Sequence, residues 1–179
     1  MGQTCVAPDY VLCSSSIKEK LVGHIKAVHK DFFGDEPEKN ADLCRIVNDR
    51  HYKRLFDLIQ KTKGNIVQSG KCIEEDKFID LHVITEVDGE DPVMQEELFG
   101  PILPIVTVES AKEAIDFIKN KAKPLSLYIF SQNKDKVKEI ISNTSSGSVC
   151  VNDVIMQLSV DTLPFGGVED SGYGAYHGK

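Results

Sequence analysis

Asp9-Tyr10-Val11-Leu12-Cys13, followed by Ser14-Ser15-Ser16-Ile17-Lys18-Glu19, is the stretch from which the fold of this chain can be read. The first five residues combine an aromatic ring with a β-branched side chain, the content of a short strand. Ser16 and Glu19 have the spacing of a capping box, which opens a helix. Ile17, Leu21, Ile25, Val28 and Phe32 then recur at helical spacing, so one face is expected to pack inward. Gly34 and Pro37 end that helix, and residues 34–39 read as a solvated loop. A strand that runs directly into an amphipathic helix is the unit from which parallel sheets are built.

The pattern recurs outward from there. Asn48 or Asp49 caps a second helix whose buried side carries Tyr52, Leu55, Phe56 and Ile59. Gly64-Asn65 turns the chain into the short strand Ile66-Val67. Phe78 to Val87 alternates apolar and polar residues as one strand. Ser110 with Glu113 repeats the capping-box spacing ahead of Ala114, Ile115 and Ile118. Leu125 to Phe130 reads as a strand, Val137, Ile140 and Ile141 mark a helix after Asn133, and Ser148 to Asn152 reads as a final strand. Strands alternating with helices predict an α/β fold with a largely parallel sheet flanked by helices. A chain of 179 residues suits a single domain over 1–179.

Composition narrows the function classes. The apolar share of 41% and charged share of 27% are those of a globular protein. A net charge of −7, with no cluster of Lys and Arg among aromatics, argues against nucleic acid as a partner. No run reaches membrane-span length and the N-terminus lacks a basic segment leading into an apolar one, so a soluble, cytoplasmic protein is expected. Cys5, Cys13, Cys44, Cys72 and Cys150 are scattered, without a CxxC pair or Cys/His ligand spacing. Neither a disulfide framework nor a metal site is expected, and reduced thiols are the simplest reading.

Three stretches carry chemistry. In Gly2-Gln3-Thr4-Cys5, small neighbours leave a sulfur approachable, and Gly2 lets backbone N–H groups come close to a developing oxyanion. Taken alone, such a cysteine is more often a small buried hydrophobe. Pro92 to Pro101 (PVMQEELFGP) places two glutamates beside Phe99 ahead of Gly-Pro. It reads either as a solvated turn or as a carboxylate for ligand hydroxyls next to a ring for a flat ligand group. Leu163-Pro164-Phe165-Gly166-Gly167, with Ser171-Gly172 and Gly174, permits close backbone approach or forms an ordinary loop. No GxGxxG, GxxxxGK[ST] or GxSxG motif is present, so nothing here would grip a pyrophosphate unaided.

Together, in order and spacing, these three stretches resemble the aldehyde dehydrogenase superfamily. Ala7-Pro8-Asp9-Tyr10-Val11-Leu12, Pro92-Val93-Met94-Gln95-Glu96-Glu97, Lys123-Pro124-Leu125 and Tyr176-His177-Gly178-Lys179 resemble its class 3 branch, which includes fatty aldehyde dehydrogenases. The resemblance covers essentially the whole chain. It implies the catalytic-domain type of α/β fold, NAD or NADP as cofactor, an aldehyde as substrate and a homodimeric parent enzyme. It assigns Cys5 as the nucleophile that forms a thiohemiacetal and then a thioester, with its own N–H in the oxyanion hole. It gives Glu97 to the nicotinamide ribose, Phe99 to the nicotinamide ring, and Phe165, Gly166 and Gly167 to the substrate approach. Asn152 matches a family asparagine of structural character.

Departures from the family pattern set further expectations. The family's coenzyme-binding domain precedes the cysteine, and its C-terminal bridging strand follows; neither is present here. The missing half includes an oxyanion-hole asparagine and the glutamate that activates the deacylating water, so the chain alone is expected to turn over weakly or not at all. Class 3 members usually have glycine where Glu169 stands. Two other readings remain open: a non-catalytic module that associates with full-length subunits, and a nucleotide-independent thiol esterase.

Overall fold

The computed structural model describes residues 1–178; Lys179, which ends the Tyr176–Lys179 segment quoted above, lies outside them. The chain divides into two compact units, Met1–Glu109 and Ser110–Lys179. The first unit holds β1 (Val11–Cys13), α1 (Ser15–Phe33), α2 (Asp49–Lys61), β2 (Asn65–Gln68), β3 (Cys72–Ile73), β4 (Phe78–Ile79), β5 (His82–Thr85) and β6 (Ile102–Thr107). The second holds α3 (Ala111–Lys119), β7 (Ser126–Ile129), α4 (Lys134–Asn143) and β8 (Ser148–Val151).

In the first unit the sheet runs β1-β6-β5-β2. Val11 lies opposite Ile105 and Val83 opposite Leu103 in parallel pairs, whereas β2 joins β5 antiparallel. The α/β class read from the alternation is borne out, with a sheet that is mixed and parallel at its centre. Parallel pairs need a crossover, and α1 supplies one face of it. Cys13, Val22, Val83 and Ile105 form the core between α1 and the sheet, with Leu21 and Ile25 packed against them.

Three local expectations are corrected. The Ser16–Glu19 box does not form: the helix starts at Ser15, and its N-cap, Ser14, makes no side-chain capping bond. Ile17, Val28 and Phe32 are exposed, not buried. The inward side runs instead through Val22, Ile25, His29 and Phe33, which share a face. The reason is polar: His29 Nε2 lies 2.8 Å from Asp80 Oδ1, and this pair fixes the rotation of the helix's C-terminal half. Phe56, expected inside, is part-exposed and stacks on Tyr52.

The expected single strand 78–87 is two. Residues 78–79 pair with β3 as a hairpin, and residues 82–85 belong to the main sheet. The break is at Asp80, whose N–H donates to Lys71 O at 2.9 Å while its carboxylate accepts from Leu81 N–H at 2.8 Å. Buried Asp80 thereby satisfies the backbone where it leaves one sheet for the other.

In the second unit Ser110 Oγ accepts from Glu113 N–H, and Asn133 Oδ1 accepts from Asp135 and Lys136, so both predicted helix starts are capped. β7 and β8 pair in parallel, Ser126 opposite Ser148 through Ile129 opposite Val151. Among the described residues no helix is long and apolar enough to cross a membrane.

Candidate active site

Cys5 occupies a corner of a tight turn. Ala7 N–H donates to Thr4 O at 2.9 Å, which places Cys5 and Val6 at the two central positions. Val6 is 1% exposed and anchors the turn in the core, while Cys5 is exposed. Among the described residues the N–H of Cys5 makes no hydrogen bond. Sulfur and N–H are therefore both available at one corner. Gln3 holds the preceding backbone in place: its Nε2 donates to Arg45 O at 2.9 Å, and its Oε1 accepts from Val47 N–H at 3.0 Å.

The second motif packs directly against the first. A Cβ on Gly2, which has φ +73°, would sit 2.2 Å from Gly100 O, so only glycine allows this approach of the two backbones. A Cβ on Gly100 would meet Leu55 Cδ1 at 2.5 Å, which seats the same point on α2. Asp9 Oδ1 accepts from Leu98 N–H at 2.9 Å, tying the segment after Cys5 to the one that carries Glu97 and Phe99. From the other side Arg54 Nη1 donates to Glu96 Oε1 at 3.0 Å, and Nη2 donates to Leu98 O. Leu98 is buried between these two grips, and its neighbours Glu97 and Phe99 project outward. Phe99 has φ 51°, a left-handed conformation rare for a bulky residue and held here by its surroundings.

The electrostatics follow from this crowding. Burial holds the Asp9 carboxyl above its ordinary range, outweighing the Leu98 hydrogen bond and the positive charge of Arg54. Burial also raises Glu97, the negative charge of Asp9 adds to that, and Arg54 offsets part of it.

Phe165, Gly166 and Gly167 lie in the second unit, in a loop closed on itself. Phe165 and Tyr176 exchange both backbone hydrogen bonds at 2.6 Å. A Cβ on Gly166 would lie 2.1 Å from Gly174 O, and one on Gly167 would lie 2.3 Å from Ser171 O. These glycines are therefore required by close backbone packing within the loop. Asn152 has φ 60°; its Oδ1 accepts from Ser131 N–H at 2.9 Å and its Nδ2 donates to Ser131 O at 3.1 Å, a structural role. No group of three or more His, Cys, Asp or Glu among the described residues is placed to hold a metal ion.

The sequence reading missed Asp9, Arg54 and Gln3 as supports of the site. Arg54 lies on the polar side of an amphipathic helix, where a lone cation looks solvated. Only the long-range contacts reveal that it grips two carbonyls and a carboxylate.

The model of the aldehyde dehydrogenase family matches residues 1–179. The chain is 49% identical over 178 residues to the dimeric NADP-preferring aldehyde dehydrogenase of Rattus norvegicus, covering 99% of this chain and 39% of that protein. It is 51% identical to aldehyde dehydrogenase family 3 member A2 of the same species, covering 99% and 36%. A substrate-bound AldH structure from Staphylococcus aureus superposes with a TM-score of 0.95 at 43% identity, over 98% of this chain and 38% of that one. The chain thus spans about two fifths of the length of these relatives. With one family model matched from end to end and half of all residues shared with class 3 relatives, this chain belongs to the aldehyde dehydrogenase family.

Proposed function

We propose that the chain supplies the nucleophile and part of the substrate wall for NAD(P)-dependent oxidation of aldehydes to carboxylic acids. The observation that carries this reading is the exposed Cys5 corner packed, through Gly2 and Gly100, against the segment that presents Glu97 and Phe99. The thiolate of Cys5 attacks the carbonyl carbon to give a thiohemiacetal. The unbonded N–H of Cys5 is suited to donate a hydrogen bond to the oxygen as negative charge develops on it. Loss of hydride leaves a thioester on Cys5, which water hydrolyses to the acid and the free thiol.

The residues present suit a nicotinamide coenzyme. Glu97 keeps an exposed carboxylate, an acceptor for ribose hydroxyls, and the neighbouring Phe99 ring is 39% exposed for contact with a flat group. NAD or NADP, when bound, supplies the acceptor for the hydride. Phe165, Gly166 and Gly167 are assigned to the aldehyde approach, and medium- or long-chain aliphatic or aromatic aldehydes are the proposed substrates. A homodimeric parent is part of the reading, as one relative is itself named dimeric. Five free thiols suit a reducing compartment, the cytoplasm.

The test is a chimera that joins the chain to the remaining length of a class 3 relative. Aldehyde-dependent formation of NADH or NADPH is expected, and Cys5→Ala should abolish it. Coenzyme reduction that survives Cys5→Ala would overturn the assignment.

A further inference from the structure

We propose that Lys123 and Glu169 form an ion-pair latch that fixes the shape of the Phe165–Gly172 loop, which makes Lys123 a positioning residue for the aldehyde approach. The functional part rests on the reading above, in which this loop lines that approach; the latch itself does not.

Glu169 has a φ of 53°, in the left-handed region that disfavours any side chain. A glutamate persists in such a conformation when its surroundings over-determine it. The holding contact is visible: the Glu169 carboxylate meets the Lys123 ammonium, from the turn that leads into β7. Phe165, at the start of the loop, is bridged to Tyr176, and among the described residues the other hydrogen bonds of Val168 to Gly172 are internal. Val168 N–H donates to Ser171 Oγ at 2.8 Å, Ser171 Oγ donates to Val168 O at 2.8 Å, and Gly172 N–H donates to Glu169 O at 3.2 Å. These set a local curl without fixing where it sits.

Its seat is defined by contact with the same turn. A Cβ on Gly147 would lie 2.3 Å from Gly166 O and 2.7 Å from Leu125 O, so the glycine loop lies against Pro124-Leu125 and the start of β8. Gly147 N–H donates to Pro124 O at 3.0 Å, which fixes that platform. Lys123, one residue earlier, thus reaches across from platform to loop. A glutamate at this φ, where glycine would sit without strain, gives up backbone ease for a charged tether. Its side chain is 60% exposed and that of Lys123 40%, so salt should loosen the tether.

Amide hydrogen exchange in the intact chain tests this without aldehyde or coenzyme. Glu169→Gln and Lys123→Met should speed exchange at Val168, Ser171 and Gly172 by about threefold, the size of effect an exposed pair supports. Lys123→Arg should retain the slow rate, and 0.5 M NaCl should bring the unaltered chain to the rate of the variants. Loop exchange unchanged in Glu169→Gln would overturn the latch. So would a rate insensitive to salt, or equal acceleration in α4 and β7, which would mark a general loss of structure. If the aldehyde reading alone is wrong, these rates still follow the charge pair while the Cys5 chimera stays inactive.

Discussion

Gly100→Ala probes the joint on which the site rests. The added methyl would lie 2.5 Å from Leu55 Cδ1, 2.7 Å from Cδ2 and 3.2 Å from Cγ. Leu55 is 0% exposed, so its side chain cannot swing away and either α2 or the Leu98–Pro101 backbone must retreat. Overpacking of this kind costs about 1–3 kcal/mol. Leu55→Ala alone removes a buried leucine and should cost about 2–5 kcal/mol through lost burial and the cavity left behind. Because the Gly100→Ala methyl points into the space that Leu55→Ala vacates, the double variant should be less destabilised than the sum. The difference should be about 1–2 kcal/mol, the coupling expected of groups in contact. Urea unfolding of the four proteins, followed by far-ultraviolet circular dichroism at 25 °C, measures all three quantities. Gly100→Ala as stable as the parent, or strict additivity of the two changes, would refute the packing argument.

Other outcomes follow from the same structure. Gly23 lies in the exposed part of α1 with nothing within 4 Å of a Cβ, so Gly23→Ala should stabilise by about 0.5–1 kcal/mol in the same unfolding assay. The carboxyls of Asp9 and Glu97 are raised in the folded chain, so a proton binds the fold more tightly than the unfolded chain. Their contribution is fully present below the ordinary carboxylate range and is lost as pH rises through the folded values. Asp9→Asn keeps an oxygen for Leu98 N–H and removes one of these charges. The midpoint of Glu97, followed by carboxyl-carbon NMR, should fall toward its usual value, and an unchanged or higher midpoint would contradict the crowding argument.

Much of the architecture was legible because local signals and tertiary packing agree. Asn48, Ser110 and Asn133 cap the helices their positions predict, and β7 and β8 fall where their apolar runs lie. Agreement failed where a distant contact outweighed a local pattern. The stripe from Ile17 to Phe32 suggests one inward face for α1, but the His29–Asp80 pair selects another. Alternation from Phe78 to Val87 continues across Asp80, although the backbone changes sheets there. β6, the strand between β1 and β5, contains Pro104, and proline within an apolar run argues locally against a strand. The site shows the same division. Cys5, Glu97 and Phe99 are singled out by motifs, whereas the grips of Asp9 and Arg54 on Leu98 join residues far apart in sequence and leave no local mark.

The most direct test of the central claim is competitive alkylation of the five thiols by iodoacetamide at neutral pH, resolved by peptide mass spectrometry with and without an aliphatic aldehyde. Cys5 should be modified faster than Cys44, which is also exposed, buried Cys13 should be modified last, and the aldehyde should protect Cys5 alone. Cys5 and Cys44 reacting at the same rate, with no protection of Cys5 by aldehyde, would contradict the assignment of Cys5 as the nucleophile.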